Sequence, residues 1–492
     1  PAFRRMHPSA RLPHSAGGRG TGLPHRGRRD MRTRWAMRSR RSLAAMLLAA
    51  RASVAAASDG ATRVADLEMA RSQYVLRSPA FSPAQRQRAL AYIERQKPRV
   101  GRMSPEQFLL CVMAIPAYAD NGHDVLNTAD GAWWPSARLP LRLIWFPDGW
   151  VVARAGAEHA DLLGARVLAI EGRTSDALFR RLRHLWGGPD SSRRWNLQWL
   201  VENAGLLHAA GLARRADSLR LDLRLRDGRR VRRDIAFVRS DALPSGGPPA
   251  RLWSHDPLPG EAEAGWRSAI GADQPLYLGE ADRLFRVVPL PQMDALYLQM
   301  RSNYGAREQT LADFMARADA ALSAHRPRHL VFDLRFNLGG NSDLTRAWLR
   351  TLPGRVPGTL YVLTSRYTFS AGIVAAAALR HDGGPRVRLV GEPVGDRLIW
   401  WSEGQDVCLP GSHYCLHRTT GLWNLASGCA STPGCYGDKL DARAGNLRPD
   451  LSAPLDSAAW LSQRDPAMEA IERELAVRGT PATRAAAAPG ER

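Results

Sequence analysis

Lysine is almost missing from this sequence. Lys97 and Lys439 are the only two in 492 residues, so arginine carries nearly all of the positive charge. Long hydrophobic runs are missing too. Nothing approaches the roughly eighteen apolar residues that a membrane-crossing helix needs, so no integral membrane span is expected in the mature chain. A dense basic block or an aromatic-interleaved basic patch is also lacking. The formal net charge is +22, but residues 1–51 hold thirteen Arg against one Asp, and the remaining excess is scattered. That distribution argues against a nucleic-acid partner. Cysteine is scarce: Cys111 stands apart, while Cys408, Cys415, Cys429 and Cys435 share one loop-rich stretch. Their spacing is not that of paired C-x₂-C knuckles, so two disulfides are preferred to a zinc site helped by His413 or His417. Spacing leaves the three possible connectivities open.

The rest of the composition, 45% hydrophobic and 24% charged, is that of a globular chain long enough for two or three domains. Residues 1–58 read as a leader and export signal. Residues 1–30 are rich in Arg, Gly, Pro and His and offer no core. A basic segment from Met31 to Arg41 then precedes an apolar stretch, Leu43 to Ala50, and the small residues Ala55-Ala56-Ala57-Ser58. Export to the periplasm or beyond is expected, in keeping with the cysteines. Residues 59–130 predict helices over 61–74, 83–96 and 104–118, with Ser104-Pro105-Glu106-Gln107 as a capping-box start. The last of these runs into Asp120-Asn121-Gly122-His123-Asp124. Residues 131–240 alternate short strands and turns, with a hairpin around Asp227-Gly228. Residues 241–275, rich in Pro, Gly and Ser, read as a linker or surface loop.

The stretch from His329 to Val394 organises the remainder, residues 276–475. Short apolar runs, Leu330–Leu334, Gly358–Leu363 and Val387–Val390, alternate with helical segments and predict parallel βαβ units. Ser370 falls where a strand gives way to the Ala-rich helix Ile373–Arg380. A serine there has unpaired backbone N–H groups and the positive end of the helix dipole beside it. The N–H of Ala371 and one from the Gly339-Gly340 turn are candidate donors to an oxyanion. Residues 476–492 read as a disordered tail.

Asp333-Leu334-Arg335-Phe336-Asn337-Leu338-Gly339-Gly340 resembles the D-L-R-x-N-x-G-G strand and turn of the tail-specific, or C-terminal-processing, serine peptidases. Thr364 to Gly372 is similar to their nucleophile strand. Gly391-Glu392-Pro393, Leu409-Pro410-Gly411-Ser412, Arg448-Pro449-Asp450-Leu451 and Asp465 to Ala470 resemble their later signatures, so the match spans Pro275 to Leu475. The resemblance implies an α/β fold: a ClpP/crotonase-like catalytic core with an N-terminal helical region and a PDZ-like β-rich module. Gly164 to Gly172 is similar to the hairpin usual in that module, which would bind an extended peptide by strand addition.

The family uses either a lysine or a histidine as base. The lysine branch carries its residue at a G-K turn after the nucleophile helix, and this chain has Gly395-Asp396 there, with no lysine between Ser370 and Lys439. Arginine does not deprotonate in proteins. The tricorn-like branch remains, in which a D-G-H-T turn carries the base; the Asp120–Asp124 segment resembles a one-residue expansion of that turn. The expected reaction is peptide hydrolysis on a polypeptide or oligopeptide through an acyl-enzyme. Ser370 is the nucleophile, His123 the base, and Ala371 with Gly339 or Gly340 the oxyanion donors. Asp441, Asp438, Asp120 and Asp124 are the candidate carboxylates to orient the imidazole. No cofactor or metal is required. An inactive relative that binds peptides or apolar ligands is the alternative, suited by Ile373 where the family often has an acid and by Trp400-Trp401. A crotonase-like acyl-CoA enzyme is a weaker one, because its usual acids and CoA-binding pattern are not evident.

Overall fold

The chain divides into two units, Pro1–Ser58 and Asp59–Arg492. The computed structural model describes residues 60–128, 137–239, 249–436 and 442–479, all in the second unit. The expected leader and export signal therefore lie outside the described residues, as do Asp438, Asp441 and the residues beyond 479.

The core of residues 276–475 is a six-stranded sheet in sequential order. Ala295–Met300, His329–Asp333, Leu360–Thr364 and Val387–Gly391 run parallel; Phe285–Leu290 adds an antiparallel edge and the short Leu451–Ser452 a parallel one. These strands read as near-continuous apolar runs because both faces are covered. Leu330, Phe332, Leu360 and Val362 pack on one face with Phe314, Leu322 and the helix Ala371–Gly383. Val331, Tyr361, Leu363 and Val390 pack on the other with Met468 and Ile471 of the helix Pro466–Gly479. Ala375 to Ala378 are all buried, and their small side chains let the helix Ala371–Gly383 lie close to its neighbours. The final helix runs past residue 475, where the core was expected to end.

The N-terminal helices follow the sequence closely. Helices span Pro83–Gln96 and Pro105–Ala117, the latter with the expected Ser104–Gln107 capping box. Between this region and the core lies an antiparallel sheet of Leu141–Phe146, Gly149–Ala155, Arg166–Ile170, Ser218–Arg224 and Arg230–Ala236. Its last two strands form the expected hairpin. Leu219, Leu221 and Leu223 point inward while Arg220 and Asp222 alternate with them, the signature of a half-buried strand.

The expected linker is corrected where it is described. Residues 249–275 contribute a helix, Pro249–Trp253, and a strand, Arg267–Ser268, that pairs with Gly149–Ala155. Trp253 is buried among Phe146, Phe336, Tyr367 and Trp460, so this segment joins module to core. Arg154, almost fully buried, holds it by pairing with Glu261 and donating to the carbonyls of Arg251 (2.8 Å) and Asp256 (2.8 Å). Proline and glycine signalled irregular backbone correctly, but irregular backbone need not be exposed when a buried guanidinium satisfies its carbonyls.

The clustered cysteines form two disulfides, Cys408–Cys415 and Cys429–Cys435, so these thiols are not free to bind zinc; Cys111 is free and buried. The first bridge ties Gln405–Cys408 to Tyr414–Arg418, and Leu126–Thr128 pairs with the latter strand. That pairing anchors the chain just after His123.

Candidate active site

Ser370 precedes the helix Ala371–Gly383 with φ 53° and ψ −124°, a conformation that costs a non-glycine residue about 1–3 kcal/mol. Neighbouring groups impose it. Phe369 N–H donates to Asn337 O (2.9 Å), and Gly372, Ile373 and Val374 N–H close back onto Phe369 O or Ser370 O. Asn337 itself is fully buried; its Nδ2 donates to Met300 O (3.0 Å). Gly339 lies directly against the serine, since a Cβ on it would stand 2.6 Å from Ser370 Cβ, and its φ of +108° also favours glycine. The sharp strand-to-helix turn presents a half-buried hydroxyl at the helix N-terminus.

Of the candidate oxyanion donors, Gly339 N–H donates to Asn337 Oδ1 (2.9 Å) and is engaged. Gly340 N–H has no partner among the described residues, and Ala371 N–H opens the helix, where no intrahelical acceptor exists. The glycine pair is bridged to Asn303, whose N–H donates to Gly339 O (2.8 Å) while its carbonyl accepts from Asn341 N–H (3.2 Å).

The turn carrying His123 starts with Asp120 in left-handed conformation (φ 52°). Its additional residue, Asn121, has a structural job. Asn121 Nδ2 donates to Trp401 O (2.7 Å) and Trp401 N–H donates to Asn121 Oδ1 (3.0 Å), which docks the turn on the strand Ile399–Ser402. The imidazole then lies between two rings, 4.4 Å from Phe369 at 22° and 6.0 Å from Trp400 at 9°. Phe369 is the residue before Ser370, so His123 and Ser370 share one wall. Both imidazole nitrogens are buried without a hydrogen-bond partner.

The carboxylate beside His123 is Asp396. Its Oδ2 is 3.7 Å from His123 Nδ1, its side chain is 2% exposed, and Oδ2 has no hydrogen bond, while Oδ1 accepts from Arg397 N–H (2.8 Å). The approach requires Gly122, where a Cβ would stand 2.4 Å from Asp396 Oδ2. Sequence reasoning noticed Asp396 only as the residue standing where the other branch has lysine. That displacement was the available signal, because a side chain at that turn reaches His123.

The other carboxylates have different partners. Asp120 pairs with Arg193 and with Arg397 (2.9 Å). Asp124 accepts from Tyr74 Oη (2.7 Å), Asn121 Nδ2 (2.6 Å) and Thr419 Oγ1 (2.8 Å). Burial raises its pKa against the pull of these donors. A raised folded-state value favours the neutral form, so this contribution to stability is complete at low pH and is lost as pH rises through the raised value. Asp124→Asn should therefore gain stability relative to wild type as pH increases from about 4 to about 8. Thermal melts across that range check this, and parallel curves for the two proteins would contradict it.

The fold is similar to that of CPAF, a protein of known structure. Mature CPAF superposes with a TM-score of 0.56 at 11% identity, covering 86% of this chain and 99% of that one. CPAF complexed with lactacystin gives 0.53 at 11% identity, with 85% and 98% covered. The photosystem II D1 C-terminal processing protease aligns at 14% identity over 86% and 98%, with a TM-score of 0.37. No protein-family model and no curated protein matches the sequence.

Proposed function

We propose that this chain is a serine peptidase that hydrolyses peptide bonds through an acyl-enzyme on Ser370. The observation that carries this reading is the shared wall at Phe369. On one side of it stands a strained serine at a helix N-terminus, and on the other an imidazole with a buried carboxylate beside it. Ser370 Oγ attacks the scissile carbonyl carbon and His123 Nε2 accepts the hydroxyl proton. Nδ1–H turns to Asp396 Oδ2, which requires closing 3.7 Å to a hydrogen-bond distance of about 3 Å. Catalytic hydrogen bonds are often long before substrate binds. Ala371 and Gly340 N–H hold the oxyanion. The carbon–nitrogen bond breaks as His123 returns the proton to the leaving amine, and water then frees the acyl group by the reverse sequence.

On this reading residues 276–475 are the catalytic domain, 59–130 supply the base, and 131–240 are a PDZ-like module that adds a peptide strand. The two disulfides support an exported protein working in an oxidising compartment. The unpartnered His123 nitrogens favour one other reading, an inactive peptide-binding relative. Hydrolysis of a denatured protein by wild type but not by Ser370→Ala, with both melting alike, is the expected result. Equal hydrolysis, or none by either, would contradict the peptidase reading.

A further inference from the structure

The segment just after His123 is held by one hairpin. Asp124 Oδ2 accepts from Thr419 Oγ1 (2.8 Å) and Val125 O accepts from His417 N–H (2.9 Å). Leu126, Asn127 and Thr128 then face Leu416, Cys415 and Tyr414 in antiparallel register. Among the described residues no other strand pairs with Leu126–Thr128. Tyr414–Arg418 is in turn the middle strand of a three-stranded sheet whose far edge is Gln405–Cys408. Packing does little for that edge, since Gln405, Asp406 and Cys408 are exposed and Val407 is half-buried. Strands this short are marginal by themselves. Cys408 stands directly opposite Cys415, so the bridge closes the hairpin at the residue whose other neighbour is Asn127. The loop between is fixed separately, by Gly411 and Ser412 N–H donating to the Asp66 carboxylate (2.8 Å each). Opening the bridge therefore loosens the strands while the loop keeps its anchor.

The cysteines differ in access. Cys408 is exposed and Cys415 is 1% exposed, so a thiolate from outside meets Cys408 first. Cys111 is buried, and burial pushes its thiol up to about 11, so it supplies no thiolate for internal exchange.

We propose that the Cys408–Cys415 bridge is a reversible redox clamp on the His123 turn, opened by an external dithiol. Its effect on catalysis rests on the peptidase reading. One thiolate of the dithiol attacks Cys408 Sγ, the bond to Cys415 breaks, and Cys415 leaves as a thiolate that takes up a proton. The second thiol then displaces Cys408 from the mixed disulfide. Two electrons and two protons pass to the cysteine pair, and the dithiol ends as a disulfide. The opened hairpin no longer holds residues 125–128 in register, and the imidazole loses its fixed place beside Phe369 and Asp396.

The test treats the full chain with dithiothreitol and maps the trapped thiols by mass spectrometry. Hydrogen exchange at residues 125–128 and the rate of fluorophosphonate labelling of Ser370 are read on the same samples. Reduction of Cys408–Cys415 is expected to speed that exchange by about tenfold or more, well within what one disulfide contributes. Labelling is expected to slow by about tenfold or more, the scale of a small misplacement of a catalytic group. Reoxidation restores both. The Cys429→Ser/Cys435→Ser variant keeps the response, and Cys408→Ser/Cys415→Ser behaves as reduced wild type without any dithiol. Wild type in its two redox states carries the test whether or not that second variant folds. Unchanged exchange after reduction would overturn the proposal. So would faster exchange with unchanged labelling, or a bridge that opens only when the whole protein unfolds. Wild type that takes no label in either state removes the peptidase reading instead, and exchange at 125–128 alone then decides the clamp.

Discussion

His123→Ala lowers the rate of Ser370 acylation by about 10³-fold or more, with the protein still folded. A serine hydroxyl is a weak nucleophile at neutral pH, and general-base assistance accounts for roughly 10²–10⁴ in rate before the electrostatic benefit of an oriented imidazolium is added. The described residues offer no second base in this position. The other groups packed on His123 are Phe369, Trp400 and Asp396. Asp396→Asn should cause a loss on a comparable scale, about 10²–10⁴-fold, because an amide fixes the wrong imidazole tautomer. Single-turnover acylation by a fluorophosphonate measures both. A normal rate in Asp396→Asn with a lost rate in His123→Ala would keep the base and discard this carboxylate.

Arg335→Leu destabilises the protein by about 3–5 kcal/mol at neutral pH, the range for stripping a partner from buried charges. Arg335 Nη2 donates to Asp333 Oδ2 (2.7 Å) and to Asp465 Oδ2 (3.0 Å), and its Nη1 donates to Asp465 Oδ1 (2.8 Å). The guanidinium also lies 4.3 Å from the centre of the Tyr277 ring, and Tyr297 Oη donates to Asp333 Oδ2 (2.6 Å). Leucine would leave two buried carboxylates facing each other. Burial alone would raise the pKa of Asp333, but the Arg335 charge and its hydrogen bonds hold it below the usual carboxylate range. A depressed folded-state value contributes stability above the unfolded value, and that contribution is lost as pH falls through the folded one. The gap between wild type and variant should therefore narrow in acid, where protonation relieves the buried carboxylate pair left without its arginine. Denaturant titrations at neutral and acidic pH test this, and a gap independent of pH would contradict it. Because Asn337 and Gly339 follow Arg335 closely, acylation should fall with stability.

The Asp333–Gly340 stretch shows why the core was legible. Its apolar strand, buried arginine and glycine turn are consecutive in sequence, so local pattern and tertiary role coincide. The same holds for the Ser104 cap and the Asp227-Gly228 hairpin, whose determinants span a few residues. The candidacy of Ser370 rests on the same kind of local pattern. His123 needed the resemblance, since 247 positions separate it from Ser370 and nothing local distinguishes it from other histidines. Asp396 illustrates the remaining difficulty. Its proposed role depends on Gly122 admitting a carboxylate from a distant turn, a contact that neither segment announces. Which glycine keeps its N–H unengaged was likewise decided by Asn337, a buried side chain whose hydrogen bonds leave no mark on composition. The 249–275 segment was misread for a related reason: Arg154, nearly a hundred residues earlier, satisfies its carbonyls.

The central claim is that Ser370 is an activated nucleophile, and a fluorophosphonate probe on purified protein tests it most directly. Wild type, Ser370→Ala and His123→Ala are labelled side by side, and the adduct is mapped by peptide mass spectrometry. The account predicts one phosphonyl group on Ser370 in wild type, none in Ser370→Ala, and labelling in His123→Ala slowed by about 10³-fold or more. Folded wild type that takes no label, or a label on a residue other than Ser370, would contradict it.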